Sequence, residues 1–389
     1  MAKSSSPLDK IDSKGREKVD CKLCGGWYHR LDVHLKKKHN TSVDPYTKQF
    51  PGAPTISPAA KEAASKGASR KDNKAKAVKE AKTLAAPVDG TFRIGVAQIE
   101  MRKDLPVADS VHVPDHDPYF AIGRVEKDRW EYLALGIQTG ENVLIVGPTG
   151  CGKSAAVGQL ASACNQPLRR INLHGEVRVS DFVGDKTVEV DPETNQAVVT
   201  WQDGILPDAM RHGHWLLLDE LDAAPAHVLF VLQAVLEKGM RLVLSANGGE
   251  VVKAHPNFRL IATANTLGRG DDSGLYAGTN VLNEAFLDRF GIVIRSSYPA
   301  TNTERDILVD RSGIGALDAQ TMVKIAHDVR RALEMETVYC TFSTRRLITW
   351  AMAAVRLGDV KKALGIAVTN RLSDQDAKFI TGLVNRYWR

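Results

Sequence analysis

At 389 residues the chain is too long for a single compact α/β core, so two or three units are expected. A hydrophobic share of 43% with 25% charged residues is ordinary for a globular protein. The absence of a bilayer-length apolar run and the polar start MAKSSSPLDK set aside a membrane role and predict a soluble, cytoplasmic protein. The net charge of +6 sits at one end: residues 1–90 hold 19 Lys and Arg against 10 Asp and Glu, leaving the rest of the chain at −3. That asymmetry fits either an appendage with an acidic or nucleic-acid partner or a solvated lysine-rich linker.

Residues 18–50 carry the first motif. CKLCGGWYHRLDVHLKKKH places Cys21, Cys24, His34 and His39 in a C-x2-C-x9-H-x4-H pattern. A CxxC knuckle followed by two histidines about one helical turn apart suits tetrahedral Zn²⁺, with His29 as a substitute ligand; the alternative is a reduced CxxC with incidental histidines. Cys151, Cys164 and Cys340 complete an odd count of five, which fits a reducing compartment better than a disulfide framework. The segment resembles a compact two-Cys two-His finger. Arg30, Lys36, Lys37 and Lys38 could contact DNA, dock a protein, or form a solvated helix face. Residues 51–90, with PGAPTISP and then an Ala/Lys/Ser tract almost without large apolar side chains, read as a flexible basic linker.

From residue 91 the pattern becomes α/β. NVLIVG (142–147), LRRINL (168–173), HWLLLDE (214–220) and FRLIATAN (258–265) are short Leu/Ile/Val runs ending in Gly or polar residues, the mark of buried parallel strands that deliver working residues at their C-terminal ends. TVEVDPETNQAVVTW (187–201) and RLVLSANGGEVVKAH (241–255) alternate about turn residues and predict hairpins. Residues 91–300 are therefore read as an α/β nucleotide-binding domain, and 301–389, with amphipathic stretches such as AQTMVKIAHDVRRALEM, as a helical domain.

GPTGCGKS (Gly147, Pro148, Thr149, Gly150, Cys151, Gly152, Lys153, Ser154) matches G-x-x-x-x-G-K-S/T between a strand and a helix. Its glycines let backbone N–H groups turn onto phosphate oxygens, Lys153 places a charge at the β- and γ-phosphates of ATP, and Ser154 can ligand Mg²⁺. Asp219 would hold the Mg²⁺ through bound water and Glu220 would polarise the attacking water, while Asp222 reads as a cap or interface residue. Asn265 could orient that water. Arg289 in LDRF and Arg345 in STRRLITWA are candidates for guanidinium contact with the γ-phosphate.

Residues 108–389 resemble the AAA+ superfamily, specifically the MoxR branch and its CobS-type cobaltochelatase ATPases. VPDHDPYF, DGILPDAMRHGHWLLLDELDAA, VLFVLQAVLEKG, HPNFRLIATANTLGRGDDSGLYAGTN, LDRF and STRRLITWA carry the resemblance beside the phosphate loop. It implies an AAA+ P-loop core with a C-terminal helical lid. It further implies Walker A residues Lys153 and Ser154, Walker B residues Asp219 and Glu220, a sensor-1 Asn265, an arginine finger at Arg289 acting on a neighbouring subunit, and a sensor 2 at Arg345, with Arg346 competing for that role. The hairpins would face a ring pore and residues 113–119 would lie near the adenine. Family members form hexamers that hydrolyse ATP and work with a von Willebrand factor A-domain partner to remodel or metallate a protein client. The basic Cys/His end departs from that pattern and opens a second expectation, a DNA-directed ATPase.

Overall fold

Short apolar runs bounded by polar residues have to lie side by side, because each exposes large side chains on both faces until a sheet covers them. The computed structural model describes residues 10, 17–61, 90–120, 127–191, 195–266, 268, 270 and 278–388. Residues 62–89 of the expected linker and 271–277 of the GRGDDSGLYAGTN stretch lie outside them. The chain divides into two compact units, 1–82 and 83–389.

In the first unit a two-stranded ribbon, β1 (Val19–Asp20) with β2 (Trp27–Tyr28), precedes helices α1 (Leu31–Lys38) and α2 (Val43–Gln49). Its core is small: among the described residues Val19, Cys21, Leu31, Leu35 and Tyr46 are the buried apolar side chains.

The second unit opens with a hairpin, β3 (Thr91–Ile94) and β4 (Ala97–Glu100), then α3 (Val107–Ser110) and α4 (Lys127–Thr139). There follow β5 (Val143–Val146), α5 (Lys153–Ala163), β6 (Leu168–Asn172), α6 (Val179–Val183), the hairpin β7 (Gly184–Val190) with β8 (Ala197–Asp203), and α7 (Ile205–His212). Next come β9 (Trp215–Asp219), α8 (Ala226–Leu236), the hairpin β10 (Arg241–Leu244) with β11 (Glu250–Lys253), β12 (Arg259–Ala264), α9 (Glu284–Leu287) and β13 (Ile292–Arg295). Five of these strands form one parallel sheet in the order β13-β5-β12-β9-β6.

Alternation through the sheet builds two cores. Val143, Ile145, Leu217 and Ile261 pack with α4 and α5, through Trp130, Leu133, Val157 and Leu160. Leu144, Val146, Leu216, Leu218 and Leu260 pack on the other face with α7 and α8, through Leu206, Met210, Val228 and Leu232. A third core holds the helical lid together: α10 (Thr301–Ser312), α11 (Ala316–Glu334), α12 (Thr344–Leu357), α13 (Val360–Ala367) and α14 (Asp374–Tyr387). Each lid helix seen with a side-chain cap starts where its sequence signals it: Ser343 before α12, Asp359 before α13 and Ser373 before α14 accept backbone N–H bonds.

Two details differ from the expected pattern. Leu168–Asn172 of LRRINL form β6, but at the sheet edge, so these residues are only half-buried or exposed and the two arginines reach polar partners, while Leu173 is buried. The fifth strand, IVIR in β13, was not expected: it is only four residues long and follows Gly291 directly after the α9 turn.

Candidate functional site

The strand order brings the ends of β5, β12 and β9 together, since β12 lies between the other two. Register sets the depth. Ala264 pairs with Val146 and Ala262 with Leu218, so Gly147, Asn265 and Asp219 emerge at one edge of the sheet. Gly147 donates to Ala264 O at 3.2 Å, and a Cβ on Gly147 would stand 2.1 Å from Ser296 O, so no side chain fits where the loop leaves β5. Gly150 and Gly152 hold φ of 69° and 94°, in the left-handed region that turns the loop back onto the start of α5.

Lys153 is buried, and its ammonium donates to Gly147 O (2.6 Å), Pro148 O (3.1 Å) and Asn265 Oδ1 (3.0 Å). Burial pulls its pKa below the ordinary lysine value, against the opposing field of Cys151, Asp219, Asp222 and Glu220. Ser154 Oγ donates to Asp219 Oδ1 at 2.7 Å. The same carboxylate accepts from Thr263 Oγ1 and pairs with Arg170 of β6. Burial alone would raise the Asp219 pKa; the bonds from Thr263 and Ser154 and the Arg170 charge outweigh it and hold the carboxyl below its ordinary value.

Glu220 follows with φ of 60°, a left-handed conformation unusual for a glutamate, its N–H on Thr263 Oγ1 at 3.2 Å and its side chain exposed. Asp222, expected as a cap or interface residue, is instead fully buried. Its Oδ2 accepts from Asn265 N (3.0 Å), Thr266 N (2.8 Å) and Thr266 Oγ1 (2.9 Å), so it fixes the loop that carries Asn265. Asp222 and Arg170 were missed as site residues. The D-x2-D spacing of Asp219 and Asp222 was visible, but nothing local said that Asp222 turns inward.

Two cavities flank the phosphate loop. One, of about 600 Å³, is bounded by Thr149, Glu220, Asp222 and Asn265 on the α/β side and by Tyr339–Thr341 and Arg371–Leu372 of the lid. The other, of about 320 Å³, is lined by Gly150, Cys151, Gly152, Asp117, Tyr119, Arg129, Trp130 and the lid residues Thr344 and Arg345. The start of α12 abuts the loop closely, for a Cβ on Gly150 would meet Ser343 Cβ at 2.7 Å. Arg345 thus lines the second cavity, whereas Arg346 turns into the lid and donates to Ala367 O at 3.4 Å. Arg289 lines neither cavity. Its guanidinium reaches Ala285 O and, at 3.3 Å, Glu237, with Nε buried and unbonded.

In the first unit, Cys21, Cys24, His34 and His39 place one donor atom each within 4.8 Å of all the others. Cys24 Sγ lies 3.3 Å from His34 Nε2, Cys21 Sγ lies 3.7 Å from His39 Nε2, and the two Nε2 atoms are 3.2 Å apart. Gly25, at φ of 70°, and the Cys24 and Gly25 N–H bonds to Cys21 O form the knuckle. His29 is not part of the cluster: its Nδ1 pairs with Ser57 Oγ at 2.9 Å. All five cysteines are free.

Comparison with known proteins agrees with this architecture. Residues 142–290 match the family model "AAA domain (dynein-related subfamily)" and residues 304–385 match "CbbQ/NirQ/NorQ C-terminal". The aerobic cobaltochelatase subunit CobS of Sinorhizobium sp is 35% identical over 276 residues, covering 69% of this chain and 81% of that protein. The chain belongs to the MoxR-type AAA+ ATPases related to CobS. Midasin of Giardia intestinalis is 34% identical over 194 residues, half of this AAA+ chain but only 4% of midasin. A solved structure of Thermotoga maritima RuvB aligns at 15% identity and a TM-score of 0.41, over 67% of this AAA+ chain and 69% of that one. No helix among the described residues is long and apolar enough to cross a membrane.

Proposed function

We propose that this AAA+ ATPase hydrolyses ATP as a hexameric ring that remodels or metallates a protein client together with a von Willebrand factor A-domain partner. The observation that carries the reading is the meeting of Lys153, Ser154, Asp219 and Asn265 at one sheet edge through direct hydrogen bonds. In this reading Gly147–Ser154 bind the phosphates, with Lys153 at the β- and γ-groups. The Ser154 hydroxyl, which donates to Asp219 Oδ1 at 2.7 Å, would ligand Mg²⁺, and Asp219 would hold the ion through its bound water. The ion would neutralise phosphate charge. Glu220 takes the proton of the attacking water, Asn265 orients that water, Arg345 reads nucleotide from the lid, and Arg289, outside its own cavities, serves a neighbouring subunit.

The domain assignment that accompanies this reading is 18–50 for the metal module, 51–90 for the linker, 91–300 for the nucleotide domain and 301–389 for the lid. Zn²⁺ suits the first module. Bond lengths of about 2.3 Å to sulfur and about 2.0 Å to nitrogen give tetrahedral edges of about 3.5 Å (S–N) and about 3.3 Å (N–N), close to the spacings found. Exposed valines on β7 and β8 (Val188, Val190, Val198, Val199) support a client-engaging role for that hairpin. The name of the CobS relative supports metallation as the outcome. A DNA-directed ATPase is the second reading, favoured by the exposed Lys36, Lys37 and Lys38 at the end of α1.

Lys153→Ala should abolish ATP binding, and Glu220→Gln should bind ATP without turning it over. Capture with Glu220→Gln in MgATP should retain a client and a partner protein. Retention of DNA with salt-sensitive stimulation of turnover would support the second reading, and normal turnover by Glu220→Gln would remove the role given to that carboxylate.

A further inference from the structure

The larger cavity beside the phosphate loop has two walls of opposite character. The α/β wall presents the Glu220 carboxylate and the Asn265 amide, with Asp222 buried behind them; the lid wall presents Arg371, the one Lys or Arg lining the cavity among the described residues. Arg345 does not share it, lying instead in the smaller cavity beside Gly150–Gly152. The two lid arginines therefore flank the phosphate loop on different sides.

Local structure keeps Arg371 in that wall. It ends a 3₁₀ turn, Thr369–Arg371, between α13 and the Ser373 cap of α14. The segment beside it is tied to the same helix, because Tyr339 N donates to Asp376 Oδ1 at 3.2 Å and Asp376 is buried. Arg371 itself is exposed and forms no hydrogen bond or ion pair among the described residues. Burial, and then the Arg371 charge nearby, hold the pKa of the Arg346 guanidinium below its ordinary value, so the two side chains do not pair. An unpaired guanidinium on a firmly held turn, facing a chamber that contains the water-activating carboxylate, is arranged for an anion that enters between them.

We propose that Arg371 is a second lid arginine of the ATPase, donating to the γ-phosphate from the side of Glu220 and so joining lid position to hydrolysis. This rests on the ATPase reading above. In the step it serves, the water oxygen bonds to the γ-phosphorus and a water proton passes to Glu220. The bond from that phosphorus to the β–γ bridging oxygen breaks, and its electron pair stays on ADP. Negative charge spreads over the equatorial oxygens, where Arg371 would donate. ADP has no γ-phosphate and would not meet it.

The test uses the full-length protein and its Arg371→Ala and Arg371→Lys variants. Melting temperature, MgADP affinity, affinity for a slowly hydrolysed ATP analogue with Mg²⁺, and steady-state turnover are measured for each. The proposal expects Arg371→Ala to keep its melting temperature and MgADP affinity, to lose about tenfold or more in preference for the ATP analogue over ADP, and to lose about 10- to 100-fold in turnover. Arg371→Lys, retaining charge without the fork, should recover part of the preference. Unchanged preference and turnover in Arg371→Ala would overturn the proposal alone, as would a parallel loss of ADP affinity. Failure of the unsubstituted protein to bind either MgATP or the analogue would overturn the ATPase reading beneath it.

Discussion

The two units hold themselves together by different means. The nucleotide core sandwiches a five-stranded sheet between two apolar layers, so most of its stability comes from area removed from water. Among the described residues the N-terminal module buries five apolar side chains, one of them Cys21, and its four sulfur and nitrogen donors converge where a larger domain would have leucines. A module this size cannot offset its chain entropy with so little apolar area, and the Zn²⁺ proposed above would supply the cross-link that replaces the missing core. The same distinction bears on function: the core can place several polar side chains at a sheet edge because the apolar layers fix the strands, whereas in the metal-bound module proposed above the polar donors would themselves be the scaffold.

Chelation should break that comparison most sharply. Stripping metal, or replacing Cys21 and Cys24 by serine, removes a binding free energy on the order of 10 kcal/mol. Amide protection across residues 17–61 of the full chain should collapse while that of 142–266 persists. Hydrogen exchange reads both regions at once, and protection of the module that survives chelation would refute the metal scaffold. Leu217→Ala is the reciprocal perturbation. Leu217 lies in β9 with its side chain buried in the core, so the cost should be about 2–5 kcal/mol, seen as a lower urea midpoint of the core with no change in module protection.

A smaller effect sharpens the role of the polar edge. Asp222→Ala removes the acceptor of three hydrogen bonds to the Asn265–Thr266 loop and should cost about 1–3 kcal/mol. Turnover should fall more than ATP affinity; equal losses would indicate that Asp222 shapes the binding site as a whole. The smallest effect is a pH slope. The carboxyl of Asp219 is depressed below its ordinary value of 3.8, so its stabilising share is complete above that value and is lost as pH falls through the lower, folded value. The stability gap between the protein and Asp219→Asn should therefore be flat across neutral pH and narrow only below about pH 4. Narrowing already at about pH 6 in urea titrations would show that the carboxyl is not held down by Thr263, Ser154 and Arg170.

Much of the site was legible because its signals are local. The phosphate loop is contiguous, and its glycine spacing serves one backbone path whatever surrounds it; Gly150 and Gly152 at positive φ show why those positions admit little else. Asp219 and Asn265 could be read because both lie just beyond buried apolar runs. The edge position of β6 could not be read. LRRINL resembles the inner strands in composition, and only the pairing order shows that its Arg170 is exposed enough to reach Asp219. β13 escaped notice for a related reason: four residues carry too little pattern to distinguish a strand from a loop.

By itself the amino-acid order determined the parallel α/β class, the helical C-terminal domain, the phosphate loop and the Cys/His set, since each follows from periodicity or spacing within a few residues of chain. Only the tertiary structure decided that Asp222 clamps the Asn265 loop, that Arg345 and Arg346 turn opposite ways, and that Arg371 enters the chamber of Glu220. Those meetings depend on strand order, register and the seating of the lid, which are set by packing summed over the whole core and leave no mark on the neighbouring residues.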